Sequence, residues 1–408
     1  MTSSNVRSGR GGVTGAGREA AGTGALFVSV LALLLATGWV ANHFVGLMPV
    51  ISDRAHLSTT TLDGIFGIYA LGLLPGLLVG GRASDTLGRR PVALTGSVAA
   101  LTGTAVMLLS QHAGALLLGR LIVGIGVGLA ISSCTAWASD LRGPAGAATA
   151  GAVLTAGFAV GPFVGGFIAW AGRSGIRVSF AVAAAIVVLA TCAVIGAARR
   201  AEEARPAAGY DSGRVAPAAP AARGVSRALS WAIPLAPWVY ASATLGFVTI
   251  PTRLHTALAA PLAAGTATLI VNGVSGVVQV LARALRWGPQ SGTVGAVLAA
   301  LGYTVAALAP PALTPTLGLP LFVVLGCASG LCLREGLIDL EAAAPPRLRG
   351  ALTGVFYVVT YVGFALPLIL ATVGSAVSVV ILSVMAVLAT VTAVARAVRL
   401  RRDSHRQD

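Results

Sequence analysis

No lysine occurs anywhere in this chain; all 28 basic residues are arginine. A phosphate-cradling G-x-x-x-x-G-K-[ST] loop is therefore excluded, and with it that route to coupling ATP. Acids are scarce too, at 13. Charged residues reach only 10% of the chain, against about 25% in soluble domains. Cysteine is limited to Cys134, Cys192, Cys327 and Cys332, each inside an apolar segment and none at metal-ligand spacing. They read as small hydrophobes, so neither a disulfide framework nor a metal or other cofactor is expected. No cluster of acids and no His/Asp pair of the kind a membrane prenyl or acyl transferase needs is present, which argues against an enzyme. The net charge of +15 is dispersed through short loops and tails. That pattern marks an arginine-biased, GC-rich genome and not a nucleic-acid-binding face.

What the chain does have is apolar residues: 56% of the total, with a mean hydropathy of +0.86. That composition is that of a polytopic membrane protein. A membrane-crossing helix needs about 20 apolar residues, and twelve such runs are expected. They lie at 25–50, 61–80, 91–110, 115–138, 145–170, 177–197, 228–250, 260–283, 291–309, 317–339, 350–372 and 375–397. The stretch 198–227, rich in Ala, Pro and Arg and carrying Glu202 and Glu203, reads as a solvated cytoplasmic linker. It separates a bundle over 25–197 from one over 228–397, with a disordered tail over 1–24 and a short tail over 398–408. The apolar run after residue 24 is about twice a signal-peptide core, so the first helix is expected to insert and stay.

Arginine placement gives the orientation. One side of the expected spans collects 22, from Arg7, Arg10 and Arg18 through Arg82, Arg89, Arg90, Arg142 and the linker to the C-terminal tail. The other side has four, Arg54, Arg173, Arg177 and Arg253; Arg120 and Arg334 fall within spans. Both termini are expected in the cytoplasm.

Three motifs stand out. Residues 81–91 read Gly-Arg-Ala-Ser-Asp-Thr-Leu-Gly-Arg-Arg-Pro. This charged island between apolar runs is expected to form a tight surface loop, since three Arg and one Asp cannot sit in hydrocarbon. Span 4 carries Arg120-Leu-Ile-Val-Gly124-Ile-Gly126-Val-Gly128, and a guanidinium at that depth is a functional hypothesis by default, against snorkelling to the interface. Span 5 carries Gly157-Phe-Ala-Val-Gly161-Pro162-Phe-Val-Gly165-Gly166. Its glycines four apart give one bare face for close packing, and Pro162 is expected to bend the helix. A weak repeat links the halves: Asp140-Leu-Arg142-Gly143 after span 4, and Glu341 followed by Arg349-Gly350 after span 10.

The island resembles the loop between helices 2 and 3 of major facilitator superfamily transporters. The span-4 pattern resembles the fourth-helix motif of the same superfamily, and the span-5 pattern resembles the fifth-helix signature of its twelve-span drug–proton antiporter branch. The resemblance implies an all-α membrane fold of 12 transmembrane helices in two six-helix pseudo-symmetric bundles. It further implies a proton-coupling role for Arg120 and a conformational gate made of Gly81, Asp85, Gly88, Arg89, Arg90, Asp140 and Arg142. The antiporter helix motif falls on Gly157, Gly161, Pro162, Gly165 and Gly166. Departures are plain: Thr86 stands where a second basic residue is common, Arg283-Ala-Leu-Arg286-Trp-Gly after span 8 lacks the acid, and span 1 has no acid but Asn42 and His43 instead.

Proton coupling needs a group that changes charge. His43, with an ordinary pKa near 6.5, and Glu335 rank ahead of Asp63, which sits where a helix cap would. Asp85, Arg89, Arg90 and Asp140 are expected to form a charge network that locks the outward-facing state. The substrate cavity is expected among spans 1, 4, 7 and 10, from Trp39, Asn42, His43, Arg120, Trp238, Tyr240 and Glu335, with Asn272 and Gln279 in span 8 and Tyr357 and Tyr361 in span 11 as further candidates. The resulting expectation is a monomeric multi-pass carrier of the bacterial plasma membrane exporting small hydrophobic or amphipathic compounds in exchange for protons. A metabolite carrier for a sugar or amino acid is the alternative, and a non-transporting sensor on the same scaffold is less favoured because the motifs are intact.

Overall fold

Inside a bilayer every backbone N–H and C=O must be paired within the protein, which leaves helices as the natural form for long apolar runs. The computed structural model describes residues 10–203, 221–345 and 348–404, and its helices follow that rule. Twelve are long and apolar enough to cross a membrane. In the first half these are span 1 (Gly22–Ala55), span 2 (Thr59–Leu87), span 3 (Arg89–Leu109), span 4 (Ala113–Gly143), span 5 (Ala145–Trp170) and span 6 (Gly175–Glu203). In the second they are span 7 (Gly224–Arg253), span 8 (Ala260–Ala284), span 9 (Gln290–Leu308), span 10 (Pro315–Ala343), span 11 (Leu352–Thr372) and span 12 (Ser375–Asp403). Among the described residues the β-type pairing is a single bridge between Leu254 and Leu313.

Most helices run past their apolar cores. Helix begins at Arg10, within the stretch expected as a disordered tail, and the described ends of the expected linker, 198–203 and 221–227, are helical. Arg7, Arg205, Arg214, Arg347 and Arg406 lie outside the described residues. The largest difference concerns the island at 81–91, which is not a loop. Helix continues to Leu87, breaks at Gly88 alone, and restarts at Arg89. Gly88 adopts φ +96°, a conformation that only glycine takes without strain. The charges are tolerated in helix because this is the end of the bundle, where long side chains reach the interface. Spans 4 and 5 are likewise joined with almost no loop: Arg142 (φ −139°) and Gly143 (φ +62°) make the break. The helix holds its angles through Pro162, where a bend was expected.

Spans 6 and 12 are the least buried of the twelve. On span 12, Val380, Val384, Val387, Val391 and Val394 are exposed at helical spacing, an apolar stripe suited to lipid. The two halves meet where span 8 packs on span 5 and on the Phe44–Ala55 segment of span 1, and where span 11 packs on span 2. Span 5 lies on span 8, with Gly166 against the Pro261 carbonyl and Gly265 against Phe163. Span 2 lies on span 11, with Gly67 beside the Phe364 carbonyl, Gly64 beside Leu368, and Thr60 donating to the Ala371 carbonyl at 3.5 Å.

Three helices lose regular geometry at the seam between the halves. Span 1 is interrupted at His43, between segments ending at Asn42 and starting at Phe44. Span 7 has a π-helical turn over Leu245–Thr249 and span 11 a 3-10 turn over Val362–Ala365. Such irregularity costs backbone hydrogen bonding and in membrane helices concentrates at functional sites.

Candidate functional site

Span 4 is a wedge. A Cβ on Gly124 or Gly128 would strike the span-2 backbone at Tyr69 or Leu73, and one on Gly126 would strike the span-3 backbone at Gly96 and Ala100. The alternating glycines thus seat span 4 against two helices at once. This seating carries Arg120 into the bundle, where it is fully buried. It does not snorkel. Its Nη1 donates to the Ala41 carbonyl at 2.8 Å, two residues before His43. The guanidinium carbon lies 4.4 Å from the ring centre of Tyr69, 5.1 Å from Phe44 and 5.9 Å from Phe66. Its Nε and Nη2 have no hydrogen-bond partner among the described residues, and no acid pairs with it there.

His43 is equally buried. Its Nδ1 sits 3.1 Å from the Val40 carbonyl, its ring stands edge-on to Phe180 at 5.4 Å, and Nε2 has no partner among the described residues. The Nε1 of Trp39 and the hydroxyl of Tyr69 are buried in the same condition. Facing these N-half groups across the seam is an aromatic set from the C-half. Phe364 stacks on Phe66 at 5.1 Å and lies 6.0 Å from Tyr69. Tyr240 stacks on Tyr361 at 4.5 Å and meets Phe364 at 5.2 Å, with Tyr357 beyond Tyr361 at 6.3 Å. Asn42 donates to the Phe158 carbonyl at 3.0 Å, and Asn272 of the other half reaches the same oxygen at 3.5 Å.

The span-5 glycines use two faces. Gly157 and Gly161 lie against Leu35, Gly38 and Trp39 of span 1, and Gly165 lies against Leu47, so that face packs within the N-half. The Pro162 carbonyl abuts Gly46 on one side and Gly265 on the other, and Gly166 turns to span 8. The motif therefore fixes span 1 and touches the opposite half at once.

At the Arg-rich end, Arg89 is ion-paired to Asp85 one turn earlier and to Asp140 at the end of span 4 (2.8 Å), and it also bonds the Ser84 hydroxyl at 2.9 Å. Gly88 creates the turn that makes this possible. Arg90 does not join that set; it pairs with Glu202 at the end of span 6 at 2.8 Å. Arg142 stands apart too, with its guanidinium 4.2 Å from the Phe27 ring.

Several expected positions differ. Trp238 faces into the C-half: Nε1 donates to Thr392 at 3.4 Å and the ring packs 5.9 Å from Tyr303. Gln279 bonds the Ser275 carbonyl of its own helix. Glu335 is not at the seam. It accepts from Ser291 at 2.7 Å and pairs with Arg334 at 3.0 Å and with Arg396 at 3.6 Å, while Arg396 also holds Asp339 at 2.6 Å. Arg396, counted with the tail on sequence grounds, is buried in this cluster. Asp63 does not cap span 2; Ser58 does, accepting from the Thr61 amide, and Asp63 is buried with Oδ1 lacking a partner among the described residues. Phe44, Phe66, Tyr69, Phe364, Glu202 and Arg396 were not anticipated. The spacing of Phe66 and Tyr69, three apart on one span-2 face, was the available signal.

Twelve spans in two groups of six thus share a seam of broken helices around a buried charge. The Major Facilitator Superfamily model matches residues 25–368, and the chain belongs to that family of membrane transporters. Its curated relatives vary in name. The Escherichia coli (strain K12) 3-(3-hydroxy-phenyl)propionate transporter is 36% identical over 126 residues, covering 30% of this chain and 31% of that protein. Multidrug resistance protein 2 of Bacillus subtilis (strain 168) is 28% identical over 171 residues, 40% and 42% of the two chains. Monosaccharide-sensing protein 2 of Arabidopsis thaliana is 33% identical over 128 residues, 30% of this chain and 17% of that protein. Each match thus spans less than half of the relative. Among solved structures, a POT family transporter in complex with a thioalcohol conjugated peptide superposes with a TM-score of 0.75 over 93% of this chain and 96% of that one, at 14% identity. That likeness concerns the fold alone.

Proposed function

We propose that this transporter exports small hydrophobic or amphipathic compounds in exchange for protons, as a monomer in a bacterial plasma membrane with both termini cytoplasmic. The observation that carries this reading is Arg120: a fixed charge, fully buried without an acid partner, beside a buried titratable His43 at the seam where the halves separate. In a low-dielectric site, a proton on His43 and the guanidinium repel strongly. Protonation therefore favours whichever arrangement moves them apart or brings an anion between them, which is a coupling of proton binding to conformation. Asp63, buried on span 2 and without an ion-pair partner among the described residues, is the second protonation candidate.

The Asp85–Arg89–Asp140 set joins the ends of spans 2, 3 and 4, and its proposed role is to hold the outward-facing state. The span-5 motif supports the antiporter reading, as do relatives named for multidrug resistance. The first span, which has no acid before Asp53 near its end, together with a relative named as a 3-(3-hydroxy-phenyl)propionate transporter, favours a second reading, a dedicated metabolite carrier. Efflux of a panel of dyes and antibiotics from cells lacking their own pumps decides between them. Export that collapses with a protonophore and in Arg120→Ala supports the exporter; no export by protein shown to be folded in the membrane favours the dedicated carrier.

A further inference from the structure

The unanswered groups at Arg120 are dominated by its own donors. Arg120 Nε and Nη2 are buried without partners among the described residues, as are the hydroxyl of Tyr69, whose ring lies 4.4 Å from the guanidinium, and the Nε2 of His43. Nothing in that set is an anion. Asp63, about 9 Å further along span 2 than Tyr69 by helical rise, forms no ion pair among the described residues. The aromatic faces of Phe44, Phe66 and Tyr69 attract the guanidinium through their quadrupoles, yet they cannot accept two in-plane N–H groups in the geometry a carboxylate offers. A buried cation with free donors in its plane is complementary to an anion that arrives and leaves.

The surroundings describe the rest of the ligand. The rings over Arg120 are Phe44, Phe66 and Tyr69 of the N-half, and they are backed from the other half by Phe364 of span 11, which lies against Phe66 and Tyr69, with Tyr240 of span 7 against Phe364. The Phe66–Phe364 stack, at 5.1 Å and 14° between planes, is a contact between halves that must part when they rock. A flat apolar body can take the place of one ring in that stack while an anionic head reaches Arg120.

We infer that the transported compound is a small organic anion with a planar aromatic body, its anionic group held by Arg120 and its body stacked on Phe66 in the place Phe364 takes in this structure. This rests on the transport reading and narrows its substrate class. It uses neither the direction of transport nor proton coupling, so binding measured at equilibrium separates the two.

The test uses purified full-length protein in lipid nanodiscs and three matched probes: a naphthoate, the neutral naphthamide and the naphthylmethylammonium cation. The naphthoate is expected to bind more tightly than the other two by at least about tenfold, the scale of losing one partner of a buried charge pair. Arg120→Gln should erase that preference, Arg120→Lys should retain part of it, and Phe364→Ala should weaken naphthoate and naphthamide alike. Because the wild-type comparison needs no variant, a misfolded mutant does not rescue the idea. Equal binding of the three probes, preference for the cation, or no naphthoate binding overturns it. Anion preference without proton-driven export would overturn the antiporter reading only, and proton-driven export without anion preference would overturn this inference only.

Discussion

Glu335 and Arg120 are both buried charges within spans, and their surroundings give them opposite parts to play. Glu335 is answered by Ser291, Arg334 and Arg396, so removing it leaves buried cations unpaired. Glu335→Ala is expected to destabilise the protein by about 3 kcal/mol, the usual cost of breaking a buried pair. Thermal unfolding would show the loss, and any transport defect should scale with the amount of folded protein. Arg120 has no such partner to strand. Arg120→Ala should lose transport while keeping a near wild-type unfolding midpoint; a large drop in that midpoint would instead make Arg120 a structural residue. Asp85→Asn tests the other charge set. Asp85 and Asp140 are mostly solvent-exposed, so the pair contributes only about 0.2–1 kcal/mol to stability. Its loss should leave the midpoint nearly unchanged yet alter transport and conformational labelling; unchanged labelling would remove the network from the gate.

At the scale of elements, glycine decides which helices touch. A Cβ on Gly166 would stand 2.5 Å from the Pro261 carbonyl of the other half, a contact that backbone must yield to. Gly166→Ala is expected to part the halves at that end of spans 5 and 8, read as a longer spin-label distance between residues placed in the loops after spans 5 and 7. Gly151→Ala, which meets nothing within 4 Å, is the control and should leave the distance unchanged. Equal distances in both variants would deny the Gly166 contact its role in closure. Much of this level was legible in the sequence: twelve apolar runs and the small-residue faces need only counting and the 3.6-residue period. What was not legible is which neighbour each face meets. Trp238 looked like a cavity residue because it is an aromatic in span 7, but its face turns to Thr392 and Tyr303. The island at 81–91 looked like a loop because charge was equated with surface chain, whereas interface helix ends tolerate it and only Gly88 breaks. Glu202 was assigned to the linker because span 6 runs beyond its apolar core to Glu203, and Arg396 was counted with the cytoplasmic charge because its position alone does not show that it turns inward onto Glu335 and Asp339.

At the scale of the molecule, the site is an inter-half property. The motifs around Arg120 lie within residues 81–166, and the rings over it, Phe44, Phe66 and Tyr69, come from spans 1 and 2; the rings behind these, Phe364 and Tyr240, come from spans 11 and 7, distant in sequence and without a motif. Pairing Phe66 with Phe364 required the fold. The same scale carries the topology. With a Cys-free background, a cysteine at Arg173 should react with a membrane-impermeant maleimide in intact cells and one at Arg286 should not; the reverse pattern would invert the orientation proposed from arginine placement.

The most direct test of the central claim is transport in proteoliposomes. A pH gradient of either sign is imposed, and movement of an exported compound found in the dye and antibiotic panel is followed together with internal pH. The account predicts substrate flux against its gradient, opposite in direction to the proton flow, abolished by a protonophore and absent in Arg120→Ala. Flux that ignores the pH gradient, or that persists in Arg120→Ala, would contradict it.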